Sequence, residues 1–72
     1  MSYMMVLSLL RTKTNSLHKA ENEREAREID NEMCKHLAKA MGMAYTMPQG
    51  QRKVVLEMAI NQAVNTRRKM FA

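Results

Sequence analysis

The sequence predicts an all-α protein, and three observations carry that expectation. Its 72 residues include one Pro, two Gly and no Trp, while Ala, Glu, Lys, Arg, Met and Leu, which lose little rotamer freedom in a helix, are abundant. Apolar side chains recur three or four residues apart over two long stretches. Charges are also ordered along those stretches as a helix dipole favours, acids first and bases last.

The opening stretch "MSYMMVLSLL" is apolar without a diagnostic period, so residues 1–15 read as a frayed lead, a strand or a short third helix. From residue 16 to about 43 the spacing of Ala26, Ile29, Met33, Leu37, Ala40 and Ala44 describes one face of a single long helix. Six acids, Glu21, Glu23, Glu25, Glu28, Asp30 and Glu32, occupy its first half, and Lys35 and Lys39 lie toward its end. Glu23 with Arg27 and Arg24 with Glu28 are four apart, a spacing that lets them pair along the solvent side.

Gly42 is expected to end this helix through a left-handed residue, and "TMPQ" at 46–49 has the form of a capping box for the next one. A start near Gln51 is the alternative, because Gly50 weakens the first turn. The second helix then runs to about Lys69, with Val55, Leu56, Ala59, Ile60, Ala63 and Val64 on its apolar face. The whole chain reads as a single small domain: an antiparallel helical hairpin.

A hairpin of this size leaves much of each stripe uncovered, and a short chain needs a disulfide, a metal or a partner to be comfortably stable. The lone Cys34 excludes an internal disulfide and points to a reducing, cytoplasmic setting. The expected remedy is a homodimer, a helical bundle closed through Ile29, Met33 and Leu37 on the first helix and Leu56, Ala59 and Ala63 on the second. The apolar lead has no flanks of a secretory signal and is too short to span a bilayer, so no membrane association is expected.

Cys34, His36 and His18 lack zinc-site spacing, and no cofactor loop is recognisable, so neither a metal nor a cofactor is expected. The candidate catalytic pair is His36 with Glu32 one helical turn earlier, an imidazole able to exchange protons near neutral pH and a carboxylate to orient it. The candidate binding residues for an anionic partner are Arg52, Lys53, Arg67, Arg68 and Lys69. They belong to a carboxy-terminal third in which Glu57 is the only acid, on a chain of net charge +5.

The stretch "HLAKAMGMAYTMPQGQRKVV" begins like a helix-turn-helix, yet "AYTMPQG" stands where the recognition helix should start. Pro48 and Gly50 argue against a continuous helix at 44–51. "GQRKVVLEMAINQAV" also looks like the second helix of a ribbon-helix-helix protein, but "EREAREID" is a poor DNA-reading strand. The basic carboxy-terminal residues are instead expected to be partly neutralised by Glu21, Glu25 and Glu28 of the antiparallel first helix. Binding of another protein is therefore the leading reading and a small DNA-binding regulator an alternative.

"REIDNEMCKHLAKAM" followed by "RKVVLEMAINQAVNTRRK" resembles the fumarase D family of small enterobacterial proteins. The likeness lies in "EMCK" at 32–35 and in the apolar-basic pattern from Val54 to Arg68. The resemblance implies a bacterial source and hydration of fumarate to malate, and carries over no catalytic residue. Such chemistry needs a base, an acid and cations for two carboxylates. His36, Arg52, Lys53 and Arg67 could supply these only if a dimer gathers them.

Overall fold

Ser2 opens the first helix: its side chain accepts a bond from the Met5 backbone N–H at 3.3 Å, satisfying a donor that the first turn leaves free. In the computed structural model, which describes residues 2–72, the chain then forms α1 (Tyr3–His18), α2 (Glu23–Thr46) and α3 (Gln51–Met70). All three described elements are helices, so the chain is all-α. The first residue of the lead lies outside the described part.

The lead is thus a full helix of 16 residues, longer than either short element the sequence suggested. Val6, Leu7, Leu10 and Leu17 are buried on its inner side. Thr14 completes that row because its hydroxyl is satisfied within the helix, donating to the Leu10 carbonyl at 2.7 Å.

The expected helix from residue 16 is corrected at its start: Ser16 belongs to α1, and the chain breaks over residues 19–22. Asn22 makes the new beginning, its Oδ1 accepting from the Glu25 N–H at 2.8 Å. At the other end Gly42 takes no left-handed conformation and α2 runs on to Thr46. The capping box at 46–49 does not form. Thr46 Oγ1 instead bonds backward to the Met43 carbonyl at 3.2 Å, and α3 begins at Gln51 behind Gly50.

Gly42 is therefore an exposed mid-helix glycine with open space where a Cβ would stand. Gly42→Ala should stabilise the fold by about 0.5–1 kcal/mol by reducing the entropy lost on folding. A thermal melt that failed to rise would contradict a helical residue 42.

Short connections make the bundle run up, down and up. The Tyr3 hydroxyl donates to the Arg52 carbonyl at 3.1 Å near the start of both α1 and α3, so these two helices are parallel. Asp30 meets Arg67, while Ala44 and Lys53 line one hollow further along, so α2 is antiparallel to α3. The core is one cluster of Val6, Leu7, Leu10, Leu17, Ala26, Met33, Leu37, Ala40, Ala44, Leu56, Ala59 and Ala63. α1 covers the seam that a two-helix hairpin would leave open.

That placement changes the role of five of the six residues expected to close a dimer. Met33, Leu37, Leu56, Ala59 and Ala63 are buried within the single chain, and Ile29 is half-buried against the same core. Their stripes are shielded by α1 and are not free for a second copy. The side-by-side course of α2 and α3 also departs from a helix-turn-helix, whose helices cross at roughly 90–120°.

Candidate functional site

α2 holds Glu32 and His36 a turn apart, but the structure does not join them. Glu32 forms an ion pair with Lys13 of α1, while the buried Nδ1 of His36 has no partner among the described residues. The hydrogen bond and charge of Lys13 hold the Glu32 carboxyl below its ordinary range. A carboxylate tied to an ammonium group is a poor orienter for an imidazole, which removes the geometric basis for the pair.

The lowered Glu32 value has a consequence for acid stability. A carboxyl with a depressed folded value stabilises the fold above its unfolded value, and that contribution fades as pH falls through the folded one. Glu32→Gln should therefore lower the melting temperature slightly at neutral pH and leave it unchanged in strong acid. A difference that persisted below the whole carboxylate range would contradict the Lys13 pairing.

The five candidate cations do not form one site. Arg52 and Lys53 stand at the start of α3 and Arg67, Arg68 and Lys69 in its last turns, about 22 Å away at 1.5 Å per residue. The Arg52 guanidinium lies over the Tyr3 ring, 5.2 Å from its centre, and Lys53 Nζ donates to the Met47 carbonyl at 3.5 Å. Arg68 and Lys69 are exposed. Arg67 is neutralised, but by Asp30 rather than by Glu21, Glu25 or Glu28.

This pair is forked: Arg67 Nε donates to Asp30 Oδ1 at 2.7 Å and Nη2 to Oδ2 at 3.3 Å. Asp30 is buried and the Arg67 side chain partly so. Its carboxylate raises the guanidinium value, mainly through the hydrogen bond. The Cys34 thiol donates to Asp30 Oδ2 at 3.8 Å. Burial first, then the Asp30 charge, push this thiol above its ordinary value. Cys34 is thus held protonated and unreactive at neutral pH.

The surface between α2 and α3 has a different character. These two helices approach each other less extensively than either approaches α1, so apolar side chains stay uncovered along their junction. Met41 is 54% exposed, Tyr45 89% and Phe71 37%, with Ile60 and Val64 half-buried beside them; Val54, 52% exposed, lies on the side of α3 opposite the buried Ala63. Met41, Tyr45, Ile60 and the apolar stem of Lys53 line one shallow hollow. By contrast, the groove between α1 and α3 is lined by Thr14, Asn15, His18, Gln62, Asn65, Thr66 and Lys69, a polar surface that water satisfies.

Sequence reasoning missed three features here. Asp30 counted only as one of six acids, although its position in the apolar row, four residues after Ala26 and three before Met33, marks it as inward-facing. Asn22 with Glu25 three residues later is a readable helix start. Met41, Tyr45, Val54 and Phe71 carried no signal of their own, since a second, outer stripe becomes visible only when the inner one is known to be filled.

Among the described residues, no three His, Cys, Asp or Glu gather as a metal site, and no helix is long and apolar enough to cross a membrane. Comparison with protein-family models, curated proteins and solved structures finds no match to this chain.

Proposed function

We propose that the chain is a small cytoplasmic interaction protein that binds another protein through the face between α2 and α3. The observation that carries the reading is the group of exposed apolar side chains Met41, Tyr45 and Phe71, with the half-buried Ile60 and Val64 that pack against the core beside them. Uncovered apolar surface of this kind marks interaction sites. Met and aromatic residues are the types enriched at interface centres.

Nucleic-acid binding has less support, because the cations are divided between the ends of α3 and Arg67 is already paired. Fumarate hydration, implied by the family resemblance, needs a pocket gathering a base and two cations, and His36 and Arg52 sit on different helices with no shared hollow. Malate formation from fumarate by the purified chain, lost in a folded His36→Ala variant, would reinstate that reading.

A photo-crosslinking residue placed at Tyr45 tests the binding face in living cells. The expected result is a protein adduct at position 45 and none at exposed, polar Thr12 of α1. Absence of any protein adduct at 45, or equal adducts at both positions, would overturn the reading.

A further inference from the structure

We infer that the occupant of the α2/α3 face is a second copy of this chain, lying antiparallel across it with its two-fold axis at the level of Cys34. The inference rests on the binding face just proposed and identifies what fills it. It replaces the buried stripes expected from the sequence with a different surface.

Each helix presents an outer row with the three- and four-residue spacing of a coiled-coil seam. On α3 and its cap the row is Val54, Glu57, Asn61, Val64, Arg68 and Phe71; on α2 it is Arg27, Asn31, Cys34, Ala38, Met41 and Tyr45. All are exposed except Cys34 and Val64, which are half-buried. The Asp30–Arg67 pair and the shared hollow of Ala44 and Lys53 fix the relative level of the two helices. By that register Cys34 lies level with Ala63.

A two-fold axis at this level, in the plane of the face and across the helices, makes both rows self-complementary. On α3 it sets Val54 against the partner's Phe71, Glu57 against the partner's Arg68, and Asn61 against the partner's Val64. Glu57 is the only acid on α3, and neither it nor Arg68 has an ion pair within the chain among the described residues. Each lies five or six residues from the centre, on opposite sides, so the contact occurs twice.

The same axis sets Asn31 against the partner's Ala38 on α2 and brings the two copies of Cys34 together. The small side chains at this centre let the helices approach closely, and the longer Arg27, Met41 and Tyr45 stand outside it. Tyr45 falls level with the partner's Arg24, an arrangement suited to a cation over a ring. Glu57 and Arg68 are opposite charges on one row of one helix, so a second copy turned about this axis pairs both without a group from elsewhere. A standard interface hides about 800 Å² per partner, under a sixth of this chain's 5139 Å².

Sedimentation equilibrium of the full chain, from micromolar concentrations to about 100 μM, tests the assembly, with the expected Kd inside that range. Glu57→Arg and Arg68→Glu should each weaken association about tenfold or more, because each sets like charges opposite one another twice. An equimolar mixture of the two variants should form a one-to-one heterodimer, since each then meets its opposite charge. A wild-type chain that stays monomeric, single reversals without effect, or a mixture that fails to pair would overturn the inference.

Circular dichroism melts identify a variant that has lost its fold. In that event a photo-crosslinking residue at position 45 of the otherwise wild-type purified chain decides at about 100 μM: an adduct to a second copy near its Arg24 is expected, and its absence is fatal to the arrangement. An adduct at Tyr45 to a different protein would leave the binding face standing and remove the second copy as its occupant.

Discussion

Leu10→Ala should cost about 3–4 kcal/mol, the largest loss from any single truncation of an α1 side chain. Leu10 is fully buried in the middle of the helix, where it closes the seam of α2 and α3. Deleting it removes its transfer energy and leaves a cavity that two rigid neighbours cannot fill by collapsing. Because a core in a domain of this size rarely supplies more than about 3–5 kcal/mol, much of the population should be unfolded at 37 °C. Urea titration followed by circular dichroism measures the change. A loss under about 1 kcal/mol would mean that α1 is not part of the cooperative core.

Asp30→Ala should cost about 2–3 kcal/mol, lowering the melting temperature by roughly 10 °C or more in a domain of this length. The figure lies below that for a fully buried pair because the partner is not fully buried: the Arg67 side chain keeps 41% of its exposure and regains water when released. Asp30→Asn should cost less, since the amide oxygen still accepts one bond. The same carboxylate raises the Cys34 thiol through its charge and hydrogen bond, so both substitutions should shift the pH profile of thiol alkylation to lower pH. An unchanged profile in a folded Asp30→Asn variant would leave burial as the sole cause.

The inner faces were legible in the sequence because each follows an unbroken helical period. Ala26, Met33, Leu37, Ala40 and Ala44 are buried as that period requires, and so are Leu56, Ala59 and Ala63. The Glu23–Arg27 and Arg24–Glu28 pairs also form, at 2.7 and 3.7 Å. The register of the first helix was not legible, because Thr14 interrupts its apolar row and its hydroxyl is satisfied by a local bond that composition does not reveal. With α1 unseen, the seam it covers looked exposed, and Met33 and Leu56 were assigned to a partner that the chain itself provides.

The candidate site was less legible still, for a geometric reason. Glu32 and His36 share a helix face in the sequence, but Lys13, remote in sequence, captures the carboxylate. Arg52 and Arg67 look like one basic group in a charge tally and lie at opposite ends of a rod. The Asp30–Arg67 fork joins residues 37 positions apart, a distance over which no local pattern operates.

Residues 19–22 and 47–50 join each helix to its neighbour in only four steps. Encounters between successive helices therefore demand little ordering of the intervening backbone, which leaves the meeting of α1 with α3 as the principal long-distance search. Chains with such local wiring reach their native state in microseconds to milliseconds. Sticky intermediates thus have little time to find one another during synthesis.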